Sequence, residues 1–200
     1  MLTEKEVMRI FRETKVWQEG HFLLTSGRHS GEYIQCARVL QYPRFTETLC
    51  YELAKRFKGE EIDVVAAPAV GGIIIAYEVA KILQTRAIFA ERDESGKMIF
   101  RRGFEIDEDE KVLVVEDVIT TGGSVHEVIE AVRASGGDVR GVGVFVNRSG
   151  GKANFDTRVE ALLNVNIKTY TPEECPLCRE QKPLVKPGSR RLGREGAEVR

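Results

Sequence analysis

Apolar residues along this chain recur at two spacings, one helical and one extended. Val7, Ile10 and Phe11 fall three and four apart, on one face of a helix. Thr3 precedes them with Glu6 three residues later, a pair that can satisfy the free N–H groups of a helix start. A second helix is predicted from Pro43, whose fixed φ suits a first helical position, with Phe45, Leu49, Leu53 and Phe57 at helical spacing. Between them, Gly20 to Cys36 reads as turns and short strands, punctuated by Ser26-Gly27. Ile62 to Ala67 is a short β-branched run, the mark of a buried strand. Gly71-Gly72 ends it, and Ile73 to Leu83 continues as an apolar helix. Arg86 to Ala90 reads as another strand, and Met98 to Phe104 alternates weakly, like half of a hairpin. Val112 to Val115 is the clearest buried strand. Val125 to Ala134 is helical, with Val125, Val128, Ile129 and Val132 on one face, and Gly136-Gly137 stops it. Val142 to Val146 returns as a strand, and Leu162 to Ile167 adds one that is free to lie outside the main sheet.

Strands separated by helices of about ten residues require crossover connections. The expected class is therefore α/β, a central parallel sheet with helices on both faces. One domain is expected over residues 1–180. From Gln181 onward the chain is rich in Lys, Arg, Gly and Pro, so 181–200 is expected to be a mobile C-terminal tail.

Composition narrows the partners. Of 200 residues, 42% are hydrophobic and 30% charged, as in ordinary globular domains, and the net charge is −1. No basic excess points to nucleic acid or to an anionic membrane, so any anion site must be local. The longest apolar run, Ala66 to Ala76, contains Pro and Gly and is too short to span a membrane. The first residues mix both charge signs and lack a signal peptide's basic start and apolar core, so cytoplasmic residence is the default expectation. Outside the secretory route, the four cysteines are not expected to form disulfides. Cys175-Pro-Leu-Cys178 has the spacing of half a zinc site or of a redox pair. No second ligand pair lies near it in sequence, where the nearest histidine is His126, so a plain turn without metal is expected.

The informative string follows the Val112 to Val115 strand. Thr120, Thr121, Gly122, Gly123 and Ser124 lead into a helix, and ligands of open α/β sheets bind beyond the carboxyl ends of the strands. The glycines let backbone N–H groups reach an anion, and three hydroxyls add donors, so a phosphate monoester suits this loop. Glu116 and Asp117 sit just before it. Paired carboxylates repel phosphate but suit ribose hydroxyls or Mg²⁺. Donors for phosphate beside acceptors for diols describe a ribose phosphate site; the alternative is a plain strand–turn–helix connection with an acidic rim. No Gly-Lys-Ser/Thr follows, and no G-x-G-x-x-G is present, which excludes the common nucleotide loops.

The string from Val112 to Val125, including Val118 and Ile119 between the acids and the loop, resembles the phosphoribosyl-diphosphate signature of type I phosphoribosyltransferases. Gly20 to Ser30, followed by Tyr33, resembles the opening hood of the orotate-specific members. The resemblance implies a hood mainly over 15–40 and a core over about 43–150. It also implies that Tyr33 and Ile34 line the base pocket; the alternative is that Phe22, Leu23 and Tyr33 form a small satellite core. Ala67 to Gly72 is similar to the family's diphosphate loop, in which Gly71 and Gly72 would present backbone amides to the leaving group. Arg148 falls at the orotate-binding arginine, with an exposed strand-end arginine as its alternative. Thr120 stands where oxopurine enzymes of this fold carry Asp, which favours a pyrimidine or another non-oxopurine base.

The family carries a mobile loop rich in basic residues and containing His. Here the matching stretch, Glu91 to Lys97, has no His, leaving Arg92 and Lys97 as the catalytic cations, with Arg101 and Arg102 behind. Thr25 and Gly71 stand where many relatives have lysine. The resemblance implies transfer of phosphoribosyl from 5-phosphoribosyl diphosphate to orotate, with Mg²⁺ as cofactor, in a homodimer. The rivals are an enzyme of the same fold for adenine or xanthine, and a non-catalytic regulator that senses phosphoribosyl diphosphate.

Overall fold

A computed structural model of the chain describes residues 2–24 and 26–187. In chain order the elements are α1 (Glu4–Glu13), β1 (Trp17–Leu23), β2 (His29–Ile34), α2 (Ala37–Leu40) and α3 (Pro43–Lys55). There follow β3 (Val64–Pro68), α4 (Gly71–Leu83), β4 (Arg86–Arg92), β5 (Met98–Phe100) and β6 (Lys111–Ile119). The remainder are α5 (Gly123–Ala134), β7 (Asp138–Asn147), β8 (Val159–Asn164), β9 (Thr169–Tyr170) and α6 (Pro176–Arg179). The chain divides into two compact units: residues up to Val16 with Cys36–Asn166, and Trp17–Gln35 with the chain from Ile167 onward.

The larger unit is a six-stranded sheet in the order β5-β4-β3-β6-β7-β8. Five strands run parallel, and β5 joins the β4 edge antiparallel. Strand alternation sorts β6 between the two faces. Val112 and Val114 pack with Val125, Val128, Ile129 and Val132 of α5. Across the sheet, α3 and α4 cover the other face, where Phe57 and Leu53 lie over Gly141 and Gly143 of β7. A Cβ at Gly141 would come within 2.6 Å of the Phe57 ring, so glycine there lets the aromatic reach the sheet. The predicted capping box starts α1: the Glu6 N–H donates to the Thr3 hydroxyl, and the Thr3 N–H donates to the Glu6 carboxylate at 2.8 Å.

Three elements differ from their predicted form. The central strand runs to Ile119 rather than ending at Val115, because β7 pairs with it as far as Ile119↔Asn147. Glu116 and Asp117 are thus held in a strand. The last sheet strand begins at Val159, earlier than predicted, and lies in the main sheet beside β7. The expected hairpin half is real but short, pairing Arg92↔Met98 through Ala90↔Phe100.

In the smaller unit, β1, β2 and β9 form an antiparallel sheet. It is therefore not a product of the N-terminal segment alone. Ser30 donates its hydroxyl to the Lys168 carbonyl, and Arg28 donates to Thr169. Val185 is bonded on both sides to β1, accepting from the Leu23 N–H and donating to the His21 carbonyl, each at 2.8 Å. The expected tail is thus anchored at 185; from 188 on, and at Thr25, the sequence expectations lie outside the described residues.

Phe57 is 1% exposed, and its ring fills the space over the β7 glycines. Phe57→Ala should lower the unfolding free energy by about 3–5 kcal/mol, read as a drop in the denaturant midpoint with the slope unchanged.

Candidate active site at the carboxyl ends of the central strands

Parallel pairing sets the ends of β3, β6 and β7 side by side. The chain leaves β3 through Ala69 and enters α4 at Gly71-Gly72. A Cβ at Gly72 would lie 2.7 Å from the Ala67 Cβ and 3.4 Å from the Val115 carbonyl oxygen. Only glycine allows α4 to start this close to the sheet. As a result Gly71 faces β6: its Cβ position lies 3.3 Å from a carboxylate oxygen of Asp117. Two motifs more than forty residues apart in sequence meet at one sheet edge.

Glu116 is buried and Asp117 half-buried. Burial raises the Glu116 carboxyl well above the usual carboxylate value, and the neighbouring Asp117 charge raises it further. Asp117 is raised as well, burial outweighing the lowering effect of the Val118 backbone N–H. The Glu116 carboxylate also accepts from the Asp117 N–H at 3.1 Å. Without a ligand the pair therefore favours holding a proton. A cation or a set of hydroxyl donors would relieve it.

After Ile119 the chain turns through Thr120 and Thr121 to Gly122, which caps α5 at φ 86°. That left-handed conformation suits glycine, and a Cβ there would meet the Phe155 ring at 2.8 Å. Gly123 and Ser124 form the first turn of α5, where N–H groups have no helical acceptor. Phe155 is buried and stacks with His126, 4.6 Å between ring centroids, so it walls the loop from below. Nothing in the sequence marks Phe155 for this place, since it comes from a loop after β7.

Arg148 follows β7, and its N–H donates to the Ile119 carbonyl at 2.8 Å, which brings it beside Thr120. Sequence reasoning also missed Cys36, a buried residue at the start of α2. Its thiol is pushed well up by burial and then by the charges of Asp117 and Glu116, with Arg148 partly opposing. These four residues therefore share one electrostatic neighbourhood. Tyr33 and Ile34 belong to β2 of the smaller unit, where the Tyr33 ring packs 5.6 Å from Phe22 and Ile34 is buried.

The stretch from Glu91 to Lys97 is the tight end of the β4–β5 hairpin. The Asp93 carboxylate accepts from the N–H groups of Ser95 and Lys97, each at 2.9 Å, and Gly96 supplies a positive φ. Arg92 pairs with Glu127 of α5 at 2.5 Å and donates to the Gly96 carbonyl. Both partners are more than a third exposed, so this pair is easily exchanged for another anion. Lys97 is exposed. Arg102 is committed to Glu91.

No described helix is long and apolar enough to cross a membrane. Residues 46–172 match the family model described as the phosphoribosyl transferase domain. The chain is 56% identical over 191 residues to the orotate phosphoribosyltransferase of Caldanaerobacter subterraneus subsp. tengcongensis, covering 96% of this chain and 100% of that one. The enzyme of the same description from Pelotomaculum thermopropionicum is 57% identical over 191 residues, with the same coverage. The fold is shared with the crystal structure of orotate phosphoribosyltransferase from Aeropyrum pernix, at a TM-score of 0.67 and 24% identity, over 80% of this chain and 93% of that one. This chain belongs to the type I phosphoribosyltransferase family, in the branch formed by the orotate phosphoribosyltransferases.

Proposed function

We propose that the chain transfers the 5-phosphoribosyl group of 5-phosphoribosyl diphosphate to a ring nitrogen of orotate, giving orotidine 5′-phosphate and diphosphate. The observation that carries this reading is the approach of Gly71 to Asp117, in a chain 56% identical to an orotate phosphoribosyltransferase over 191 residues. It puts a loop open to diphosphate against carboxylates suited to ribose.

The bond from the sugar's anomeric carbon to the diphosphate breaks with its electron pair on the leaving oxygen. The sugar becomes oxocarbenium-like, and the orotate nitrogen attacks from the opposite face. Thr120 to Ser124 hold the 5′-phosphate through helix-start N–H groups and hydroxyls. Glu116 and Asp117 accept hydrogen bonds from the ribose hydroxyls, which requires the pair to give up its proton. Gly71 and Gly72 turn backbone amides toward the diphosphate. Glu116 and Asp117, as poorly hydrated hard oxygen donors, are the residues that would hold Mg²⁺ at this edge, and the ion would supply charge neutralisation for the leaving diphosphate. Arg92 and Lys97 are the cations of this chain assigned to the departing charge. Arg148, beside Thr120, offers a planar fork of donors to the acidic base. Tyr33 and Ile34 are assigned to the base by family resemblance. As the N–C bond forms, the proton of the orotate ring nitrogen leaves to the departing diphosphate or to solvent, and no side chain is assigned as general base.

Purified chain given 5-phosphoribosyl diphosphate and Mg²⁺ should release diphosphate when orotate is added. Faster release with adenine or xanthine would overturn the acceptor, and no release with any base would favour the sensor. Asp117→Asn should weaken phosphoribosyl diphosphate binding about tenfold or more, measured by calorimetry; unchanged affinity would remove the ribose contact.

The raised carboxyls also fix a pH dependence. Below the ordinary carboxylate range both folded and unfolded chains are protonated. Above it the unfolded chain ionises first, so the stability contributed by the pair falls as pH rises toward neutrality. Asp117→Asn should flatten that decline in the ligand-free chain, seen as a melting temperature that holds up better than wild type as pH rises from the ordinary carboxylate range toward neutrality. Lys97→Ala should lower kcat about tenfold or more while the KM for phosphoribosyl diphosphate moves far less. Equal turnover would take Lys97 out of the mechanism.

A further inference from the structure

We infer that the smaller unit contains a structural zinc site made by His21, His29, Cys175 and Cys178. Their ligand atoms all lie within 4.8 Å of one another. His21 Nε2 is 3.0 Å from His29 Nδ1, 3.5 Å from Cys175 Sγ and 3.7 Å from Cys178 Sγ. Cys178 Sγ is 3.2 Å from His29 Nδ1. Ligands around a tetrahedral Zn²⁺, at about 2.0–2.1 Å for nitrogen and 2.3 Å for sulfur, stand roughly 3.3–3.8 Å apart. Four of the six pairs are therefore within a few tenths of an ångström of that spacing, and the other two, which both involve Cys175 Sγ, lie no more than 4.8 Å apart. Hydrogen bonding alone explains the arrangement poorly. It would gather two imidazoles and two thiols, all weak or ambivalent partners, into one buried point.

Three further features point the same way. His21 Nδ1 lies 2.9 Å from the Lys182 carbonyl oxygen, which can accept only from an N–H. That bond puts the proton on Nδ1 and leaves the Nε2 lone pair facing the cluster, the usual second-shell arrangement of a metal-bound histidine. Cys175, His21 and His29 are buried, and neither cysteine of the pair is in a disulfide. The ligands also come from three pieces of chain: β1, β2 and the turn that starts α6. Among the described residues the smaller unit consists of a three-stranded sheet and one helical turn, and so small a unit buries little apolar surface, a deficit that a metal or disulfides commonly offset. A metal here would clip the C-terminal segment to the N-terminal hairpin.

Two sulfur and two nitrogen ligands in tetrahedral array select zinc among the common divalent ions. With four protein ligands no position is left for a substrate, so the site is structural. On binding, both thiols lose their protons to solvent, the imidazoles stay neutral, and the two thiolates balance the charge of Zn²⁺.

The test uses the full chain, purified without a metal-affinity tag under reducing conditions, with metal measured by plasma mass spectrometry. About one zinc per chain is expected, before or after adding Zn²⁺ and removing excess. The Cys175→Ser/Cys178→Ser chain should hold less than about a tenth of that. Should this variant fail to fold, chain produced in cobalt-supplemented medium decides the matter. Tetrahedral Co²⁺ bands with thiolate charge transfer support the site. Six-coordinate spectra or no bound cobalt overturn it. Equal zinc in the folded double variant, or no zinc in reduced wild type after Zn²⁺ is added, also overturns it. Orotate-dependent turnover does not enter this readout, so the site stands or falls apart from the proposed reaction.

Discussion

The parallel pairing of β6 with β3 on one side and β7 on the other is the constraint from which the rest of the larger unit follows. It removes both edges of the central strand, so Val112 to Val115 can be fully apolar and fully buried. Alternation then assigns Val112 and Val114 to the α5 face and leaves the opposite face to α3 and α4. Because β7 keeps pairing to Asn147, the ordered backbone extends beyond the apolar run and carries Glu116 and Asp117 into the edge of the core. Both loops that follow, from Ile119 to α5 and from Asn147 to Arg148, start from neighbouring points.

That extension sets stability against function. Two neighbouring carboxyls in a poorly hydrated place cost stability once they ionise, which is why both are raised. A strand ending at Val115 would have let them reach water. Their retention is reasonable if the free energy they withhold is returned on binding a ligand rich in hydroxyls and cations. The glycines around them follow the same logic, since Gly71, Gly72 and Gly122 each stand where a side chain would fill the space in front of the acids or drive helix and loop off the sheet.

The smaller unit solves a different problem. Its sheet is short, and its third strand and its bridging residue Val185 arrive from the far end of the chain. Few apolar side chains can be buried between such short pieces, so polar ties carry more of the load: Ser30 to Lys168, Arg28 to Thr169, and the His21, His29, Cys175 and Cys178 cluster. A metal in that cluster would add a strong link where hydrophobic burial is scarce.

Local chemistry was enough to read the helix start at Thr3, the helices from Pro43 and Val125, the buried strands and the glycine turn into α5, because caps, periodicity and glycine pairs act within a few residues of themselves. The candidate donor site could be proposed for the same reason, as Glu116 to Ser124 is one continuous string. What lay beyond the sequence was everything made by pairing distant segments. The length of β6 depends on β7, the placement of β8 on the register of its neighbour, and the wall behind Gly122 on Phe155. Cys175 and Cys178 looked like half a site because their partners are more than a hundred and forty residues away. Two of the chain's three histidines were the available sign, but only the antiparallel return of β2 and the fold of the C-terminal segment bring His21 and His29 to face them. Sequence spacing measures distance along the chain, whereas a ligand set is defined by distance in space.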